Sequence, residues 1–216
     1  MRKFLFVALC ALVCATAIAQ EHKNFFRNLE YTVSAGYGST IGDDPFDNAI
    51  LTFNAGVDVK ANLKSFKDGK YDLYGLVGVL YTQRGGKQGI LVQDWADAGN
   101  SIRINRVSIP LYAGIRWKIS KNSRLFLDLG PYVGFNLGSN ISSGYGSAGY
   151  KLEDKKFDVG LGGNIGFAYR KFGVSIGLDK GFLPSAKYIP GGSKESSKNI
   201  KTMSCYIKLQ LTFNRQ

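Results

Sequence analysis

The ionisable side chains with the most chemistry to offer are Asp58, Asp72, Arg116, Asp128, Asp158, Arg170, Asp179 and Lys208. All eight fall on the polar parity of segments that alternate polar and apolar residues, and Glu30, Lys60, Arg106, Lys118 and Arg124 share that parity. Gathered in one enclosure, groups of both signs have three uses. They can neutralise one another as a salt-bridged plug, relay protons or ions along a path, or hold a small ligand at a mouth. Buried charges are tolerated when paired and hydrogen-bonded, and costly when not. A paired network is therefore the expectation for these residues.

Other chemistries lack their parts. His22 is the only histidine and stands in the N-terminal region, so no base-to-nucleophile triad can be assembled around one. The run Gly42-Asp-Asp-Pro-Phe-Asp-Asn48 is rich in carboxylates but lacks the ligand spacing of a calcium loop, and reads as a solvated turn. Gly160, Gly162 and Gly163 lie inside a strand pattern, whereas a phosphate cradle needs a strand-to-helix junction. A non-enzymatic protein with no metal and no cofactor is expected.

The elements that would position those charges are strands. In Arg124–Leu137 one parity reads Leu125, Leu127, Leu129, Pro131, Val133, Phe135, Leu137, and the other reads Arg124, Phe126, Asp128, Gly130, Tyr132, Gly134, Asn136. Successive side chains of a strand face opposite ways, so one face is continuously apolar. The run is also long enough for the roughly 9–11 residues that a tilted strand needs to cross a bilayer. The same alternation predicts strands over 30–39, 49–62, 70–84, 102–119, 124–137, 157–170, 172–182 and 201–213. Connections alternate between long (40–48, 85–101, 138–156, 183–200) and short (63–69, 120–123, 170–171). Pro110 has no N–H to give a ladder, so a bulge or a missing bond is expected beside it.

These features predict an all-β fold, an eight-stranded antiparallel up-and-down transmembrane barrel with long outer loops and short periplasmic turns. A soluble barrel has the same period with its apolar face inward, and two details oppose that alternative. The polar face is dominated by small residues, as in Asp158, Gly160, Gly162, Asn164, Gly166 and Ala168, which suits a lumen only wide enough for side chains. Aromatics on the apolar parity cluster at strand ends as two girdles. Tyr31, Tyr71, Trp117, Tyr169, Phe172 and Phe213 fall at the periplasmic end, and Tyr37, Tyr81, Phe135, Phe157 and Phe182 at the outer end.

The N-terminus points to export. Arg2 and Lys3 precede the apolar run Phe4–Ala15, and Ala17-Ile18-Ala19 fits a signal-peptidase site. The expected organisation is a signal peptide (1–19), a periplasmic tail (20–29) and a barrel domain (30–213). Cleavage would lower the formal charge from +12 to +10 and leave Cys205 as the only cysteine, excluding an internal disulfide. Cys205 lies on the apolar parity and should face lipid. Lysines around the short turns suit anionic inner-leaflet lipids, and Lys187, Lys194, Lys198 and Lys201 suit lipopolysaccharide phosphates. Nucleic acid is not an expected partner.

The segment Arg106-Val-Ser-Ile-Pro-Leu-Tyr-Ala-Gly-Ile-Arg-Trp117, followed by Leu125-Phe-Leu-Asp-Leu-Gly-Pro-Tyr-Val-Gly134, resembles the PorT-like outer-membrane β-barrel family of Bacteroidetes. The Phe157–Gly166 hairpin strand and the final amphipathic strand also fit, although Asn214-Arg215-Gln216 follow Phe213 and displace the usual terminal aromatic. The resemblance implies a barrel in the outer membrane of a Gram-negative cell. Some relatives support type IX secretion or gliding, so envelope or secretion proteins become possible partners. From the residues alone we expect a monomeric barrel with a plugged lumen, structural or making surface contacts through its outer loops. Ile90, Leu91, Val92 and Trp95 are the candidate contact, because exposed apolar loop residues usually meet something. Two alternatives stand beside it, an accessory of protein secretion and a narrow channel for ions or small solutes.

Overall fold

A computed structural model describes residues 29–42, 48–67, 69–87, 101–142, 151–189 and 198–214. The expected signal peptide, the tail up to residue 28, and the loop residues Ile90, Leu91, Val92 and Trp95 lie outside the described residues, while Leu29 of the expected tail opens the first strand. Eight long strands form at the alternating segments: β1 (Leu29–Gly42), β2 (Ile50–Phe66), β3 (Tyr71–Lys87), β4 (Ser101–Lys118), β5 (Ser123–Ser142), β7 (Phe157–Tyr169), β8 (Phe172–Gly181) and β11 (Thr202–Asn214). Each pairs antiparallel with its neighbours in sequence order, and β1 pairs with both β2 and β11 to close the barrel.

The two parities separate as the alternation predicts. Thr32, Ser34, Asn54, Asp72, Asp128, Asp158 and Lys208 are buried inside, while Val33, Leu51, Val79, Leu129, Ile165 and Leu209 are exposed outside. Such a surface is costly in water, and in a bilayer it is the solvated one. Cys205 is exposed on this outer face. The aromatics pair across strands at both ends. Tyr71 stacks on Trp117 with centroids 6.1 Å apart at the end of the short turns. Phe135 meets Phe157 at 5.0 Å, and Tyr37 meets Phe53 at 5.5 Å, at the end of the long connections.

Inside, large residues face small ones. Tyr132 lies opposite Gly160 and Phe126 opposite Gly166. A Cβ at Gly160 would stand 2.5 Å from the Tyr132 ring, and one at Gly166 would stand 2.3 Å from Phe126. The small residues of the polar parity are thus the space that the luminal aromatics occupy.

One feature bears out the sequence expectation and another departs from it. The ladder between β3 and β4 is interrupted beside Pro110, where Val77–Leu111 and Leu80–Ser108 pair but the positions between them do not. Register shifts fall elsewhere, at Asn62/Lys64 and Asn105/Arg106. Parts of the expected loops 138–156 and 183–200 are strands. β5 runs on to Ser142, and β6 (Lys151–Asp154), β9 (Ala186–Ile189) and β10 (Lys198–Ile200) form a separate sheet in the order β10-β9-β6. Strands of three or four residues show too few alternations to be visible in sequence.

A closed barrel has no edge at which to unzip. In detergent extracts of outer membranes, an unboiled sample should migrate faster on a gel than a boiled one; identical mobility would contradict closure.

Candidate functional site: the luminal charge network

The inward charges sort into three levels. At the short-turn end Glu30 reaches across from β1 to Arg116 on β4 at 2.9 Å, and accepts two hydrogen bonds from Arg124 on β5 at 3.1 and 3.2 Å. Beside it Asp72 accepts from Lys118 Nζ at 2.9 Å and from Ser65 Oγ at 2.8 Å, with Arg116 at 4.0 Å. Glu30 and Asp72 are buried, so each carboxylate depends on these cations for what water no longer supplies.

At the long-connection end two carboxylates are enclosed. Asp158 accepts from Arg106 Nη1 at 2.5 Å and from the Tyr132 hydroxyl at 3.1 Å, and both charged side chains have 0% exposure. Asp179 accepts from Arg84 Nη2 at 3.0 Å, from Tyr206 at 3.0 Å and from Tyr112 at 3.3 Å. The Arg84 guanidinium lies 5.2 Å from the centre of the Tyr132 ring, a cation–π contact in a water-poor place. Arg84 and Asp179 stand on β3 and β8, four strands apart either way round the barrel. This ion pair therefore crosses the lumen.

The middle level is less neatly paired. Asp128 accepts from the Tyr74 hydroxyl in a very short hydrogen bond. Lys60 lies over the Phe126 ring at 4.8 Å and Lys208 over Tyr206 at 4.7 Å. Asp58 Oδ1 has no hydrogen-bond partner among the described residues. Asp58, Lys60, Asp128, Tyr206 and Lys208 line a cavity of about 20 Å³ together with Asn164 and Gln210, room for about one water with polar partners.

Of the residues picked out from sequence, Asp72 and Arg116 stand at the short-turn level. Asp158 and Asp179 stand at the other end, and Asp58, Asp128 and Lys208 line the cavity between. Arg170 does not join them. It is exposed in the β7–β8 turn with φ of 53°, and its guanidinium lies 5.6 Å from the Tyr169 ring centre. The strand ends at Tyr169, so parity no longer aims the next side chain. Arg84 was missed, although it shares the parity of Asp72 on the same strand. Tyr74, Tyr112 and Tyr206 were missed as hydrogen-bond donors, because a tyrosine on the inward parity reads as filler until an acceptor is known.

The small outer sheet is fastened to this network. Arg106 Nη2 donates to Ser185 Oγ at 2.6 Å, and Asn136 Nδ2 donates to the carbonyls of Ser185 at 3.0 Å and Lys155 at 2.5 Å. Ser185, Ala186, Ile189 and Ile200 are buried. Arg106 thus holds a wall strand, a luminal carboxylate and a loop at once. Arg106, Tyr132 and Gly134 belong to the two segments that carry the family resemblance, and Asp158 belongs to the third. A Cβ at Gly134 would lie 2.8 Å from Arg106 Cδ, so these positions together build the Arg106–Asp158–Tyr132 node.

A closed eight-stranded barrel with an apolar exterior, two aromatic girdles and a charged interior defines a transmembrane protein of the Gram-negative outer membrane. The chain belongs to the family of outer membrane protein beta-barrel domains, which matches residues 18–187. Its fold is similar to solved outer-membrane barrels. OprG of Pseudomonas aeruginosa aligns over 88% of this chain and 99% of its own at 13% identity, with a TM-score of 0.49. Neisserial surface protein A aligns over 86% and 97% at 10% identity, TM-score 0.45. The attachment invasion locus protein Ail of Yersinia pestis aligns over 85% and 98% at 16% identity, TM-score 0.37. No curated protein sequence matches the chain.

Arg106→Ala should destabilise the barrel by about 3–5 kcal/mol, the cost of leaving one partner of a buried pair uncompensated. Arg170→Ala should change stability by less than about 0.5 kcal/mol, because the side chain is exposed and alanine meets the same left-handed φ as arginine. Unfolding in urea followed by the gel shift of the folded band measures both; equal losses would contradict the assignment of Arg106 to the interior and Arg170 to the surface.

Proposed function

We propose that this protein is a non-enzymatic outer-membrane barrel with a plugged lumen, structural or making surface contacts through its outer loops. The observation that carries the reading is the pair of ion-pair levels at opposite ends, with a cavity for about one water between them. Bridges that span the barrel from wall to wall occupy the cross-section an ion would need. The long connections then form the part of the molecule available to partners. Ile90, Leu91, Val92 and Trp95 remain the proposed contact within them, and lipopolysaccharide and inner-leaflet lipids the proposed surroundings of a monomer.

The narrow-channel alternative makes the opposite prediction. Purified protein inserted in a planar bilayer, with insertion verified by the gel shift, should leave the membrane silent; discrete conductance steps would replace the plug with a channel.

A second reading, an accessory of protein secretion of the PorT-like kind, is favoured by the three motif segments meeting at the Arg106–Asp158–Tyr132 node. The two readings differ in what the barrel touches. Affinity capture from cross-linked cells should recover surface partners that disappear when residues 88–100 are deleted. Recovery of secretion components, unaffected by that deletion, would favour the accessory; capture of neither class would count against both.

A further inference from the structure

The lipid-facing wall carries a groove that its packing keeps open. Across the barrel runs one lateral row of outward positions: Ala113, Leu129, Gly163, Leu178 and Cys205, each paired with the next. Large leucines flank a glycine and a cysteine, so the wall is indented at Gly163 and Cys205. The groove measures about 390 Å³ and is bordered outside by Leu129, Leu161, Ile165, Ile176 and Leu178. At Gly163 the floor cannot take a side chain without displacing its neighbours. A Cβ at Gly163 would lie 2.9 Å from the Asp128 carbonyl oxygen and 3.2 Å from Leu129 Cδ1.

One charge stands at its rim. Lys180 lines the groove, is exposed, and follows Leu178 on the same outward face of β8. Two residues further along the face stands Phe182, of the aromatic girdle at the long-connection end. Lys180 thus sits about 7 Å beyond the deepest row, at the rise of an extended strand. No ion pair of Lys180 occurs among the described residues. A lysine on the lipid face costs most at the bilayer centre and least near the interface, and its flexible stem carries the ammonium outward to the headgroups.

We propose that this groove is a binding site for a phosphorylated outer-leaflet glycolipid of the lipid A class. One acyl chain lies in the indentation at Gly163 and Cys205, and a headgroup phosphate pairs with Lys180. The assignment rests on the outer-membrane reading, with the long connections outside. An apolar slot takes a hydrocarbon chain, and a single cation at the headgroup end selects for an anion. A second copy of this chain would have to fill the slot with a protruding apolar side chain and would leave Lys180 without a counter-charge.

The test uses the full chain carrying Cys10→Ala and Cys14→Ala, so that Cys205 is the sole thiol. Folded in detergent, it is titrated with phosphorylated lipid A, dephosphorylated lipid A and phosphatidylglycerol, and bound lipid is counted by native mass spectrometry. Phosphorylated lipid A should be retained about fivefold better than the dephosphorylated form, the effect of one lysine near an anionic surface. Lys180→Gln should erase that difference, and Arg103→Gln, an exposed charge on β4 away from the groove, should leave it intact. A benzophenone attached to Cys205 should cross-link to lipid A on illumination. Equal retention of the two lipid A forms, or no effect of Lys180→Gln, would overturn the proposal. So would a Cys205 cross-link to a second copy. A preference for phosphatidylglycerol would overturn the lipid A assignment, and protease access to the long connections in whole cells then tells whether the orientation has failed with it.

Discussion

The ion pair between Arg106 and Asp158, 2.5 Å long and fully enclosed, is the interaction on which the other features depend. A carboxylate without water needs a cation and further donors, and Asp158 receives Arg106 and Tyr132. The arginine has a second edge to satisfy, and it does so with Ser185 of the connection after β8. One guanidinium thereby ties the barrel wall to the small sheet at its mouth. Asn136 on β5 reinforces the tie through the carbonyls of Ser185 and Lys155.

The same constraint extends along the lumen. An eight-stranded barrel is narrow enough that its interior is filled by side chains, and a filled interior cannot leave charges to bulk solvent. Each end resolves this with pairs that cross the axis, Glu30 with Arg124 and Asp179 with Arg84. Tyrosines complete the set, each lending a hydroxyl to a carboxylate while its ring fills volume. Glycines opposite Tyr132 and Phe126 make room for those rings. The middle level, around Asp58 and Lys208, keeps space for about one water. The lumen is thus most tightly tied at its ends.

The exterior obeys the complementary rule. Residues that meet lipid are mostly apolar, and the aromatic pairs mark where the apolar band ends. Within that band the wall is uneven. Gly163 and Cys205 leave an indentation where their neighbours are leucines, and Lys180 stands between it and the girdle. Interior and exterior are coupled there through the backbone, because Asp128 and Gly163 lie against each other across one strand pair.

Alternation in the sequence determined the eight wall strands, and the small residues of the polar parity with the aromatic strand ends determined which face meets lipid. Period two is a local property of an extended chain, visible wherever one side meets lipid and the other does not. It placed Asp58, Asp72, Arg116, Asp128, Asp158, Asp179 and Lys208 on the inward parity, and misplaced Arg170 because a turn breaks the period. Tertiary structure alone decided who pairs with whom. Arg84 and Asp179 are 95 residues apart and meet only because closure brings opposite walls within reach of two side chains. The β6–β9–β10 sheet, the tie from Arg106 to Ser185 and the groove at Gly163 also depend on lateral register. Register follows from how the closed barrel staggers its strands, and no single strand carries that information.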